Sequence, residues 1–77
     1  MNKARRQRLS EIHDQMVELR EKIEEVLSEE QDAYDNMPES FQDSERGEAM
    51  QAAIDAMEEA VSSCEEVESS LEEAQGE

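Results

Sequence analysis

Residues 57–74 read Met57-Glu-Glu-Ala-Val-Ser-Ser-Cys64-Glu-Glu-Val-Glu-Ser-Ser-Leu71-Glu-Glu-Ala74, and the first and fourth residues of each seven-residue unit are apolar. Apolar residues at these two positions, a and d of a heptad, form the contact stripe of a coiled coil. A second stripe with steps of three and four residues lies in the first half of the chain, interrupted by the polar Glu30, at Leu9, Ile12, Met16, Leu19, Ile23, Val26 and Ala33. Two such stripes in one short chain predict two helices that pack together.

Capping residues and one proline mark the ends of these helices. Asn2 is a suitable N-cap for helix 1, which we expect over about residues 3–34. Proline disfavours a helical residue before it, so Pro38 ends this helix and the bend covers about residues 35–43. Ser44 is the best N-cap for helix 2, which we expect over about residues 44–75. Residues 1–77 therefore form a single helical-hairpin domain.

The short bend predicts the topology and the register of the two helices. Connections of this length join antiparallel neighbours, so the fold class is all-α, an antiparallel two-helix coiled-coil hairpin. Large residues are expected opposite small ones, with Leu19 against Ala60 and Val26 against Ala53. This register places the basic start of helix 1 beside the acidic residues near the end of helix 2, which are Glu68, Glu72 and Glu73.

The apolar stripe is wider than a two-helix contact requires. Val17, Leu27, Tyr34, Ile54 and Val61 lie beside the predicted seam. A chain of this length is also near the lower size limit for a self-sufficient core. We therefore expect two hairpins to pair as a homodimer, a four-helix bundle, through Val17, Leu27, Ile54 and Val61. The alternatives are isolated surface apolar residues that need no cover, or a groove for another protein.

The charge of the chain restricts its partners. Seven basic and 23 acidic residues give a formal net charge of −16, which argues against direct binding to nucleic acid or to an anionic membrane. Spread along a hairpin of about 45 Å, the carboxylates approach the charge density of B-DNA, about one charge per 1.7 Å. An acidic rod of this kind fits the basic groove of a nucleic-acid-binding protein, with candidate contacts at Glu58, Glu59, Glu65 and Glu66. An ordinary solvated helix face is the alternative.

The bend is the least repetitive part of the sequence. It adjoins or contains both aromatic residues, Tyr34 and Phe41, and it contains the one proline. Tyr34, Phe41 and Arg46 form a candidate recognition tip, because complexity beyond the needs of a turn points to binding. The structural alternative is a bend in which Met37 and Phe41 cap the core, with Arg46 paired to Glu30 across the mouth of the hairpin.

The sequence predicts no catalytic, cofactor or metal site, and hence no enzyme. Paired glutamates on a two-helix hairpin lack the dry cleft that acid–base catalysis needs, and no glycine-rich loop or zinc-ligand spacing is present. His13 is expected at the surface, and Cys64 is expected to pack in the seam as a small hydrophobe. Neither a signal peptide nor an apolar run of about 20 residues is present, so we expect a cytoplasmic protein with no membrane contact.

An arginine-rich start, a heptad helix, the bend Asp35-Asn-Met-Pro-Glu-Ser40 followed by Ser44-Glu-Arg-Gly-Glu48, and an acidic, alanine-rich second helix together resemble short acidic proteins of phages and prophages of Gram-positive bacteria. The resemblance spans nearly the whole chain and implies a setting in the host cytosol, where such proteins often inhibit host defence or nucleic-acid enzymes. The alternative function is a self-associating structural coiled coil without a charged partner. A third reading is a module that binds small anions through Arg5, Arg6 and Arg8.

Overall fold

The computed structural model describes residues 1–76 and consists of three helices, α1 (Lys3–Asp35), α2 (Glu39–Gln42) and α3 (Glu45–Gln75). The two long helices, α1 and α3, pack against each other, and the single-turn helix α2 packs on α3. The predicted all-helical hairpin is therefore confirmed.

The helix ends are capped by the residues that the sequence indicates. The side-chain oxygen of Asn2 accepts a hydrogen bond of 2.9 Å from the backbone N–H of Arg5. Ser44 does the same for α3, with Oγ 3.3 Å from the backbone nitrogen of Gly47. Each bond satisfies one of the backbone donors that the first turn of a helix leaves without a partner.

The side chain of Gln42 fastens the bend. Its Nε2 donates to the backbone oxygens of Tyr34, at 3.1 Å, and of Met37, at 3.2 Å. Both carbonyls lie at or just past the end of α1, where the last turn has no intrahelical donors. Gln42 therefore joins α2 to the end of α1, and the bend is a hydrogen-bonded element with its own structure.

The contact between α1 and α3 uses a different stripe from the predicted one. In α3 the best-buried side chain is Ile54, at 0 % exposure, followed by Glu68, at 8 %. Both occupy heptad position e, next to position a in space. The predicted d positions of α1 are open to solvent instead: Leu19 is 51 % exposed and Val26 is 53 % exposed. The hairpin core is thus formed by positions a and e, and the predicted a/d seam is wrong.

The register also differs from the predicted one, by about one heptad. Arg20 reaches Glu68, with Nε 2.6 Å from Oε2, and His13 Nε2 lies 3.0 Å from Glu72 Oε1. The predicted register would set Arg20 level with Ala60, about 12 Å of helix away from Glu68. The molecule is 58 Å long, longer than the roughly 50 Å of α1 alone. The helices are therefore staggered, and the start of α1 extends beyond the end of α3.

This stagger corrects the expected position of the basic residues at the N-terminus. Residues 1–8 are all exposed. Glu68 and Glu72, which were expected to lie beside them, are bound to Arg20 and His13. The basic segment therefore projects past the acidic end of α3.

Gly47 lies where α2 and α3 come closest, and it gives the first testable prediction. A Cβ at this position would lie 2.1 Å from the carbonyl oxygen of Gln42 and 2.6 Å from that of Phe41. Alanine favours helix by about 1 kcal/mol over glycine, yet we expect Gly47→Ala to lower the free energy of unfolding by about 1–3 kcal/mol, because backbone must move to admit the methyl group.

Urea denaturation of Gly47→Ala measures this effect. Gly76→Ala is the matched control, since its Cβ would lie 3.2 Å from the nearest atom, the carbonyl oxygen of Glu73. We expect the control to leave the midpoint nearly unchanged. A Gly47→Ala protein as stable as the wild type would show that α2 is not packed against the start of α3.

Candidate functional site

Because α1 and α3 are in contact through positions a and e and not through positions a and d, the two sides of the hairpin differ. Around a helix of about 3.6 residues per turn, the heptad positions follow in the order d, a, e, b. Because a and e are in contact, position d borders the contact on one side and position b borders it on the other. An antiparallel pair has approximate twofold symmetry, so the d positions of both helices lie on one side and the b positions lie on the other.

Two grooves along the contact agree with this arrangement. One groove is lined by Ala33 and Arg46, which are d positions of α1 and α3. The other is lined by Glu24 and Glu58, which are b positions, and by Leu27 and Val61 between the helices. The two sides of the hairpin are therefore distinct surfaces.

The d positions form what we call the apolar face. Four of its large side chains are substantially exposed: Ile12 at 44 %, Leu19 at 51 %, Val26 at 53 % and Val67 at 41 %. The other d positions are Arg46, next to the bend, and four alanines, of which Ala33 is exposed and Ala53, Ala60 and Ala74 are half-buried. Large apolar side chains exposed together on one face of a small protein are typical of interaction sites.

The opposite side is what we call the acidic face. It carries exposed b-position carboxylates from both helices, and exposed c-position carboxylates continue it around the outer side of α3: Glu24, Glu58, Glu59, Glu65, Glu66, Glu72 and Glu73. Four of the predicted partner-binding residues, Glu58, Glu59, Glu65 and Glu66, belong to this face. Their pairs recur every seven residues, or about 10 Å of helix.

A partly buried ion pair lies between the helices, with the Glu68 side chain 11 % exposed and the Arg20 side chain 22 % exposed. Glu68 accepts hydrogen bonds from Arg20, with distances of 2.6 Å from Nε to Oε2 and 3.2 Å from Nη2 to Oε1. Arg20 Nη1 also donates to Glu24. The hydrogen bond to Glu68 raises the pKa of Arg20 above its usual range, so the guanidinium stays charged. Sequence reasoning missed this pair, although opposite charges at two e positions were the available signal.

His13 lies between the helices near the C-terminal end of α3, and not at the open surface. Its side chain is 18 % exposed, and its Nδ1 lies 3.6 Å from Asp14 Oδ1 while its Nε2 faces Glu72. The expected surface histidine is therefore an interhelical contact. Cys64 is a free thiol at position a and is half-buried between the helices.

The residues predicted to bind a second copy are placed differently from the expectation. Ile54 is fully buried within the single chain, and Leu27 and Val61 are half-buried and line one groove between the helices. Val17 is half-buried at a b position, on the side of the acidic face. Ile54 consequently offers no surface to a second copy, because the larger side chains at position e fill the intramolecular core.

The structure brings together two of the three predicted recognition residues at the bend. Phe41, which is 57 % exposed, and Arg46 line one groove with Met37 and Met50. Tyr34 occupies an e position, where it is half-buried. Within residues 1–76 no ion pair joins Arg46 to Glu30, so the predicted link across the mouth of the hairpin is absent.

Residues 1–76 contain no group of three or more His, Cys, Asp or Glu side chains that could hold a metal ion. No helix in this part of the chain has the length and hydropathy needed to cross a bilayer.

Comparison of the chain with protein-family models, with curated proteins and with solved structures found no match.

Proposed function

We propose that this chain is a small acidic protein–protein interaction module that occupies a basic, nucleic-acid-binding surface of another protein. In this proposal the module is a phage-borne inhibitor that acts in the host cytosol, where two hairpins pair into a bundle with their acidic faces outward. It has no enzymatic activity of its own.

The proposal is supported by the position of the acidic face, whose carboxylates are separated from the apolar face. Glutamate pairs such as Glu58-Glu59 and Glu65-Glu66 are exposed on one rigid helix. Their spacing of about 10 Å equals roughly three phosphate steps along one DNA strand. A basic groove that binds a phosphate backbone would release the same kind of counterions when it binds this face.

Removal of four charges from the acidic face tests the proposal. The variant replaces Glu58, Glu59, Glu65 and Glu66 by glutamine, and the matched control replaces Glu11, Glu18, Glu21 and Glu25 at the outer edge of α1. Both variants have the same net charge. The immobilised proteins are exposed to bacterial lysate at low salt, and each captured protein is purified for binding and competition measurements.

We expect the captured partner to bind nucleic acid, to be released by salt and to be displaced by duplex DNA. The slope of log affinity against log salt should fall by about 0.9 for each charge in contact, hence by about three to four for the acidic-face variant. The control should keep most of the wild-type slope. Equal slopes for the two variants, or a partner that binds DNA and this protein simultaneously, would contradict the proposal.

A self-associating structural coiled coil is the second candidate function, and the exposed apolar face favours it. This function requires no basic partner. It predicts that the acidic-face variant behaves like the wild type in every assay.

A further inference from the structure

The apolar face takes no part in the proposed contact between the acidic face and a basic partner. Its four large side chains, Ile12, Leu19, Val26 and Val67, are between 41 % and 53 % exposed. They follow one another along a hairpin that measures 58 Å by 14 Å. On α1 the exposed members are seven residues apart, so Ile12, Leu19 and Val26 recur about every 10 Å along the face.

The charges around the apolar face differ from those of the rest of the molecule. The g positions next to it on α3 are small and uncharged: Ala49, Ala56, Ser63 and Ser70. The g positions of α1 are Arg8, Gln15, Lys22 and Glu29. Only one of these eight residues is acidic, in a chain whose net charge is −16.

We propose that the occupant of the apolar face is the apolar face of a second copy of this chain. Two copies repel each other in every orientation that brings acidic faces together, and the apolar face is the surface on which carboxylates are sparse. Pairing through it removes the exposed d positions from water and leaves the acidic faces outside. This inference deepens the dimeric module proposed above by naming its interface, and its test needs no basic partner.

The order of charges along α1 selects the orientation of the two copies. Arg8 and Lys22 precede Glu29, so an antiparallel α1–α1 contact sets Arg8 of one copy opposite Glu29 of the other. The same twofold axis sets Leu19 opposite the Leu19 of the second copy and Ile12 opposite Val26. Each contact then occurs twice, as an isologous interface requires. If α1 faced α3 instead, Arg8 and Glu29 would meet small uncharged residues.

Sedimentation equilibrium of the full chain measures the dimer directly. We expect the wild type to sediment as a species of twice 8.8 kDa. Leu19→Asp should raise the dissociation constant by on the order of 100-fold, because two carboxylates would be buried at the twofold axis. Ala52→Asp is the control, since Ala52 is an exposed c position away from this face, and it should still dimerise. Helical circular dichroism should persist in both variants.

A charge exchange tests the orientation without removing any apolar side chain. Arg8→Glu and Glu29→Arg should each weaken the dimer by about 10-fold, and the double variant should recover the wild-type dissociation constant. A strictly monomeric wild type would overturn the pairing. Failure of the double variant to recover would overturn the antiparallel arrangement. Neither result depends on binding to a basic protein, so failure here is distinguishable from failure of the proposed function.

Discussion

Ile54→Ala is expected to lower the free energy of unfolding by about 2–5 kcal/mol, the range for a fully buried large-to-small substitution. Ile54 is the one large side chain in residues 1–76 with no exposed surface. Small domains often have only 5–15 kcal/mol of stability, so the variant should be partly unfolded at moderate temperature. Urea denaturation followed by circular dichroism measures the change.

Ile12→Ala is the matched control, because the same side chain is deleted from a position that is 44 % exposed. In dilute solution, where the apolar face is not paired, we expect this control to cost about 1 kcal/mol or less. Equal losses at the two positions would show that positions d and e contribute alike to the hairpin core.

Arg20→Ala is expected to destabilise the hairpin strongly, because it leaves the Glu68 carboxylate between the helices without its partner. Breaking a buried pair by removing one member is far more costly than replacing both members. Because the Arg20 side chain is 22 % exposed, solvent screens part of this cost, and we expect the melting temperature to fall by roughly 5 °C. The double variant Arg20→Leu, Glu68→Leu should recover most of this loss, because both polar groups leave the contact together.

Glu24→Ala provides the control for the Arg20 prediction. Glu24 is paired to the same guanidinium across one helical turn, but its side chain is 45 % exposed. Pairs of this kind contribute about 0.2–0.5 kcal/mol. A fall in melting temperature as large as that of Arg20→Ala would mean that the local pair, and not the interhelical one, holds Arg20 in place.

The local structure of this chain could be predicted from its sequence. Asn2 and Ser44 are strong N-caps, and Pro38 restricts the residue before it, so the helix boundaries follow from short-range chemistry that no distant contact alters. The hairpin topology follows from the length of the bend. The structure places these boundaries within about one residue of the expected ones, as short-range signals allow.

The contact face could not be predicted in the same way, because positions a and d are largely apolar and position e also carries large apolar side chains, at Leu27, Ile54 and Val61. An apolar stripe this wide can turn either edge towards a partner helix. Two features favour position e. The first is that Ile54 and Val61 bury more area than Ala53 and Ala60. The second is the pairing of Arg20 with Glu68, which is possible only in the observed register. Both features depend on how the two helices are aligned, so the sequence of one helix alone does not reveal them.

Nuclear magnetic resonance of the wild-type chain tests the central claim, that positions a and e form the hairpin core and leave the large d-position side chains exposed. Intramolecular methyl contacts, separated from intermolecular ones by isotope filtering, identify the facing side chains. The structure predicts a contact between the methyl groups of Leu27 and Val61 and none between Leu19 and Ala60. An intramolecular contact between Leu19 and Ala60, with none between Leu27 and Val61, would contradict it.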